Sequence, residues 1–259
     1  MVHHFEMGIW LLFLAYVTSV VGATIGLSCA YQARTATGSS RIGWLALAAV
    51  SIGGIGIWLM HFIGMLGFAT PGQPIRYDIG LTLLSALLAV AAMFAGLLVF
   101  GVQQRSALWR LLVAGTVTGL AVNLMHYTGM WAVNVKGTIE YNPFLVVLSL
   151  LIAIGAGTAA LWFTISADGL AQRVMAGLVM GVGSTGMHFV GMSAVTVHMD
   201  ENAPDPAGVE VFSFLFPVFI LAAAALAVPI AAVLTTPKEE EASPPATDNR
   251  ALNAAASAQ

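Results

Sequence analysis

The sequence predicts an all-α protein: a seven-transmembrane helix bundle built from three parallel two-helix repeats plus a seventh helix. Three observations carry that expectation. Of 259 residues, 59% are hydrophobic and only 8% are charged, whereas a soluble domain carries about a quarter charged residues. Seven apolar stretches each approach or exceed the roughly 20 helical residues that cross a hydrocarbon core. One pattern, M-H-[FY]-x-G-M, returns in every second stretch.

The stretches run near Ile9–Tyr31, Trp44–Thr70, Ile79–Gly101, Trp109–Val135, Pro143–Ile165, Arg173–Val197 and Val211–Thr235. They read as helices because a segment in lipid must satisfy its own backbone hydrogen bonds. They are also too long and too apolar for barrel strands. Their abundant Gly and Ala suit close helix contact in a membrane. Residues 1–8 read as a short extracytoplasmic N-terminus and 9–235 as one membrane domain. Residues 236–259, rich in Ala, Pro and Ser with Lys238-Glu239-Glu240-Glu241, read as a disordered cytoplasmic tail. No soluble output domain is expected within these residues.

Loop charges set the expected orientation. Arg34, Arg41, Arg105, Arg110, Arg173, Lys238 and Arg250 fall on one side, with only Arg76 and Lys136 on the other. The positive-inside rule then places the N-terminus outside and the C-terminus in the cytoplasm. Met1 to Glu6 hold no Lys or Arg, which argues for a first helix that stays rather than a cleaved signal. The net charge of −3 offers no basic surface for nucleic acid. A single cysteine, Cys29, excludes an internal disulfide and a Cys-based metal cluster within one chain. No Ser/His/Asp or Cys/His catalytic set and no intramembrane carboxylate pair is visible, so the chain does not read as an enzyme.

The repeated motif spans Met60-His61-Phe62-Ile63-Gly64-Met65, Met125-His126-Tyr127-Thr128-Gly129-Met130 and Met187-His188-Phe189-Val190-Gly191-Met192. Each copy has a Gly six residues before its first Met: Gly54, Gly119 and Gly181. A weaker echo links Tyr77-Asp78 and Ser85 with Tyr141-Asn142 and Ser149. An interval of two helices keeps all copies in one orientation, so the repeats are related by an axis along the membrane normal. The three histidines then lie at matching depth, about 13–15 Å below the outer helix ends at 1.5 Å per residue. They converge if the even helices surround that axis.

Within a copy, His and the last Met share a helix face, and the Gly between them clears a side chain beside it. The pairs His61/Met65, His126/Met130 and His188/Met192 each offer an imidazole nitrogen and a thioether sulfur. Thioether is a soft ligand suited to Cu(I), imidazole suits copper, zinc and iron, and the carboxylates wanted by hard cations are missing at this depth. Neutral ligands leave a Cu(I) site only one buried charge, against two for a divalent ion. Copper, one or two ions held as Cu(I), is the cofactor that fits best. Packing is the competing account: Met fills irregular gaps, and one buried His can bond a carbonyl. Three imidazoles in the hydrocarbon region point instead to a task.

The three-copy motif resembles the MHYT domain of bacterial integral membrane proteins, over Met7 to Thr235; only Met125-His126-Tyr127-Thr128 spells it literally. The resemblance implies a sensor module in the bacterial cytoplasmic (inner) membrane. Such a module is expected to bind copper near the outer face and to detect a diatomic gas (oxygen, CO or NO) or a redox state. It implies metal ligands among Met60, His61, Met65, Met125, His126, Met130, Met187, His188 and Met192. Family members are often joined to cyclic di-GMP or histidine-kinase domains, so a cytoplasmic or membrane signalling partner is expected beside the membrane lipid. Copper transport or delivery, a haem-binding redox protein with His and Met as axial ligands, and a plain membrane scaffold are the alternatives. Secondary features are His3, His4, Met7, His198 and Met199 as outer ion-capturing residues, Asn123 as a partner orienting His126, Asp78 and Glu140 as interfacial anchors, and Met93, Met175, Met180 and Cys29 as an inner soft-ligand ladder.

Overall fold

The computed structural model describes residues 9–68, 75–101, 108–200 and 202–236. His3, His4, Met7 and Arg105, and the tail beyond Thr236, lie outside these residues. Seven helices are long and apolar enough to cross a membrane: α1 Ile9–Thr35, α2 Gly38–Met65, α3 Ile79–Phe100, α4 Leu108–Trp131, α5 Pro143–Ser166, α6 Leu170–Ser193 and α7 Val211–Thr235. The chain is a multi-pass membrane protein, and the all-α bundle expected from its hydropathy is the one observed.

The helix starts follow local chemistry. The Asp78 carboxylate accepts from the Leu81 amide at 2.8 Å and caps α3. Asn142 caps α5 through the Phe144 and Leu145 amides, with Pro143 in the first turn where its missing N–H costs nothing. Asp78 and Asn142 are thus the same device in successive repeats, which gives the Tyr-Asp/Tyr-Asn echo its structural meaning. It also makes Asp78 a helix cap rather than simply an interfacial anchor. Gly101, at φ 73°, closes α3 in a conformation that glycine adopts freely.

The helices pack in a closed ring in the order α1, α2, α3, α4, α5, α6 and back to α1; α7 lies outside it, against α1 and α2. The first six helices therefore form the repeat body and α1 closes the circle. Small residues set the spacing. A Cβ on Gly119 would stand 2.4 Å from Ile154 Cα, and one on Gly22 would stand 2.4 Å from the Gly56 amide nitrogen. At the centre lies a cavity of about 30 Å³ reached by all six ring helices, with Ile52, Gly56, Thr118, Gly157, Met180 and Met187 in its wall.

The ends nearest the motif differ from the expected helices. Val133, Val135, Val195 and Val197 read as helix by hydropathy, yet α4 stops at Trp131 and α6 at Ser193. Beyond them the chain turns into short strands: β1 Arg76–Tyr77 pairs antiparallel with β2 Val133–Asn134, and β3 Gly137–Tyr141 pairs with β4 Val195–Met199. β-branched residues favour this extended geometry, and hydropathy alone cannot separate the two. Tyr77 also exchanges two backbone hydrogen bonds with Val209, of 2.8 and 3.0 Å. These strands cover the motif end. The cations there are paired, Arg76 with Glu210 and Lys136 with Asp205, both at 3.2 Å. At the opposite end Arg34 pairs with Asp168, donates to the Thr164 carbonyl at 2.8 Å, and shares the Tyr31 ring with Arg173.

One helix departs from α geometry. Residues Val50–Leu59 of α2 form π-helical turns, and the Met60 amide reaches back five residues to the Ile55 carbonyl. No such stretch occurs in α4 or α6. Such wide turns are rare and mark an extra residue accommodated within a helix.

Candidate metal centre

Three parallel repeats in a closed ring put the same helix face of α2, α4 and α6 toward the axis. His61, His126 and His188 meet there, 3%, 0% and 0% exposed. The Nδ1 atoms of His61 and His188 stand 3.0 Å apart, and those of His126 and His61 stand 3.2 Å apart. Ring centroids lie 4.9, 5.0 and 5.3 Å from one another with near-perpendicular planes. Among the described residues this is the one group of three or more His, Cys, Asp or Glu side chains whose ligand atoms all lie within 4.8 Å. The convergence inferred from matched depth is present, but the histidines lie only four or five residues from their helix ends, about 6–8 Å along the axis. The strands replace the missing helical turns as cover.

The motif glycine has a task that the spacing did not disclose. It does not serve its own His–Met face: it seats the imidazole of the next repeat. A Cβ on Gly129 would lie 2.4 Å from His61 Nε2, one on Gly191 2.4 Å from His126 Nε2, and one on Gly64 2.3 Å from His188 Nε2. The three contacts form a cycle, α2 onto α4, α4 onto α6 and α6 onto α2. Each ring is thereby held with Nδ1 toward the axis by steric contact. His126 Nε2 makes no hydrogen bond among the described residues, so the Gly191 seat on that edge and the Nδ1 contact with His61 fix the ring.

The nine ligand candidates fall into three sets. The histidines share the axis. Met65, Met130 and Met192 join one apolar cluster with Phe68, Tyr77, Val133 and Val195 on the strand side of the histidines. The first methionines part company. Met125 and Met187 belong to the central core, whereas Met60 packs with Ala15, Ile55 and Leu59 beside α1 and α7. All nine are buried.

Polar neighbours complete the surroundings. Trp58 Nε1 donates to Ser85 Oγ at 3.0 Å, and Asn123 Nδ2 donates to Ser149 Oγ at 3.1 Å, the same bond in successive repeats. Asn123 thus braces α4 against α5 and does not orient His126 directly. Tyr127 OH also meets Ser149 Oγ, at 3.1 Å, and its ring stands edge-on to both His126 and Tyr141. Burial, then Tyr127 beside it, pushes the Tyr141 phenol up to about 12. His198 pairs with Glu140 across β3 and β4 at 3.3 Å, both exposed. Of the inner soft side chains, Met93 and Met180 line the central cavity, Cys29 is buried in the core, and Met175 faces outward.

The donor set fits a soft or borderline cation. Three imidazoles binding at about 2.0 Å place their nitrogens roughly 3.3–3.5 Å apart, so the two pairs that stand 3.0 and 3.2 Å apart need spread by only a few tenths of an ångström to admit an ion. Among the described residues no carboxylate stands within the cluster, which disfavours hard cations.

The family model described as "bacterial signalling protein N terminal repeat" matches residues 54–115 and 119–177. The bifunctional diguanylate cyclase/cyclic di-GMP phosphodiesterase MucR of Pseudomonas aeruginosa is 38% identical over 69% of this chain and 26% of its own length. The cyclic di-GMP phosphodiesterase NbdA of the same organism is 33% identical over 74% of the chain and 25% of its own length. The signaling protein YkoW of Bacillus subtilis is 31% identical over 84% and 27%. The chain spans about a quarter of the length of these relatives. No solved structure matches it. With its thrice-repeated motif converging on one axis, the chain belongs to the MHYT family of membrane signalling proteins.

Proposed function

We propose that this chain is a membrane sensor module in which His61, His126 and His188 hold Cu(I) through Nδ1, and that the centre responds to a diatomic gas or to redox state. The observation that carries this reading is the meeting of three buried imidazole nitrogens, two pairs of them 3.0 and 3.2 Å apart. Neutral imidazoles cannot satisfy such a triangle well, because each ring brings one N–H and three Nδ1 atoms face each other. A cation uses all three lone pairs at once. Bound there, Cu(I) supplies a soft, redox-active centre able to take a small neutral ligand. The protein's part is to fix ring orientation with Gly64, Gly129 and Gly191, to exclude water beneath the strands, and to offer Met65, Met130 and Met192 on the strand side as further soft donors. Met60, Met125 and Met187 shape the wall on the other side.

The cyclic di-GMP chemistry named for MucR and NbdA supports an output of that class for this module, acting on the same polypeptide or on a partner at the Arg34 end. That end is cytoplasmic in the orientation set by the charges. Copper transport is the second reading. It is favoured by Met187, Met180 and Met93 in the cavity wall beneath the histidines, and copper uptake into sealed vesicles decides it. Haem is disfavoured by shape, since the space beside His61, lined by Trp58, Phe62 and Gly129, is about 10 Å³. The deciding experiment is copper analysis of protein purified under reducing conditions, beside His61→Ala, His126→Ala and His188→Ala. Bound copper in the wild type and its loss in each folded variant is expected; equal copper in all four refutes the centre.

A further inference from the structure

The three repeats pack alike but are not in the same register, and the difference is one residue. Gly119 of α4 sits on Ala153 and Ile154 of α5: its Cβ would fall 2.7 Å from the Ala153 carbonyl oxygen and 2.4 Å from Ile154 Cα. The counterparts on α3, 64 residues earlier, are Ala89 and Val90. The residue pressed against them is Gly53, whose Cβ would fall 2.5 Å from the Ala89 carbonyl oxygen and 3.1 Å from Val90 Cα. Spacing alone pairs Gly54 with Gly119, six residues before the first Met of each motif; contact pairs Gly53 with it, seven residues before Met60. In α6 the equivalent position is Gly181, again six residues before Met187, where a Cβ would meet the Val20 and Tyr16 side chains of α1. So α2 carries one extra residue between seat and motif, and the π-helical turns of Val50–Leu59 absorb it.

Gly54 needs no small side chain where it stands. A Cβ there would meet Val90 Cγ2 at 3.4 Å, an ordinary contact. A second glycine becomes intelligible if it sometimes occupies the seat itself. We propose that α2 is a two-register helix, in which Gly53 and Gly54 exchange one seat on α3 while the motif segment keeps His61 at the axis. In the second register α2 becomes a regular α-helix like α4 and α6. Residues 38–53 then move by one residue, about 1.5 Å along the axis with a turn of about 100°.

Two further observations support the exchange. Ile52 and Ile57 of the π segment line the central cavity of about 30 Å³, so two of its side chains border space that no other side chain fills. Ser51, fully buried in the same segment, has a hydroxyl with no hydrogen-bond partner among the described residues, so no side-chain hydrogen bond from it ties the segment to its present register. The consequence is a piston joining the turn before His61 to the far end of α2. Its coupling to the histidine centre rests on the copper reading above; the two registers themselves do not.

Reciprocal variants separate the states. Gly54→Ala permits the present register and blocks the other; Gly53→Ala does the reverse. Spin labels at Ser40→Cys and Leu170→Cys, in a Cys29→Ala background, read the position of the far end by pulsed dipolar spectroscopy. The full chain in detergent without metal should show two distinct distances for G53A and G54A, with the wild type matching one or a mixture. Identical distances overturn the proposal. Should G53A fail to fold, deletion of Gly54 decides. If the extra residue serves only to permit exchange, the deletion variant folds with a regular α2, holds the G54A distance and retains copper as the wild type does. Its failure to fold overturns the idea. Cu(I) titration then tests the coupling: affinities of G53A and G54A should differ by about 5–150-fold. Equal affinities with distinct distances overturn the link to the centre. Absence of copper binding in the wild type removes the copper reading but leaves the distance comparison to judge the registers.

Discussion

Replacing Gly129 by alanine tests whether the histidines are positioned by their neighbours. The added Cβ would stand 2.4 Å from His61 Nε2 and 3.2 Å from its Cδ2. Ordinary contact begins near 3.4 Å, so the ring must retreat by about 1 Å or the helices must part. The ring cannot retreat freely, because His188 Nδ1 lies 3.0 Å and His126 Nδ1 3.2 Å from its own Nδ1. Such overpacking costs about 1–3 kcal/mol in a well-packed core. Displacing a group that orients a metal ligand weakens binding about 10–100-fold. The assay is competition for Cu(I) against a chromophoric chelator, run on Gly129→Ala beside Gly186→Ala. Gly186 lies in α6 two residues before His188, and a Cβ there meets nothing within 4 Å, so this control should bind as the wild type does. By the cyclic packing, Gly64→Ala and Gly191→Ala should behave like Gly129→Ala. Wild-type affinity in a folded Gly129→Ala protein would refute the argument that glycine-seated rings build the site.

Other consequences are checked more simply. Asp78→Ala removes the cap on α3 and should cost about 1 kcal/mol, read as a lower thermal midpoint; Asp78→Asn, which can still accept from the Leu81 amide, should recover most of it. Arg34→Ala should destabilise more than Asp168→Ala, by about 1–2 kcal/mol against less than 1, because Arg34 is largely buried and also serves the Thr164 and Ala167 carbonyls while Asp168 is exposed. Equal effects in thermal unfolding would contradict this. The Tyr141 phenol, held up to about 12, should keep its proton well past the ordinary tyrosine range, and the difference absorbance lost in Tyr141→Phe should appear only near that pH. With Cys29→Ala as background, a membrane-impermeant maleimide added to intact cells should label His198→Cys and spare Asp168→Cys; the reverse would invert the orientation inferred from charge.

Much of this architecture follows from residue type along one dimension. Seven spans follow because each apolar run is long enough to cross lipid and must close its own hydrogen bonds, whatever its neighbours are. Matching depth for His61, His126 and His188 follows because an interval of two helices preserves direction. What lies between helices is invisible in that dimension. Gly129 looks like an aid to His126 and Met130 in its own helix, yet it serves His61, because helix rotation decides which ring faces which glycine. Val133 and Val195 look helical, and only a partner strand makes them extended. Asn123 looks like a partner for His126 until Ser149 is seen within reach. Spacing picks Gly54 as the equivalent of Gly119, yet the Ala89 carbonyl is met by Gly53 instead. Composition and period determine how many helices there are, where they cross and at what level the imidazoles sit; rotation, pairing and register are set by contacts between distant segments, and only the tertiary structure holds those.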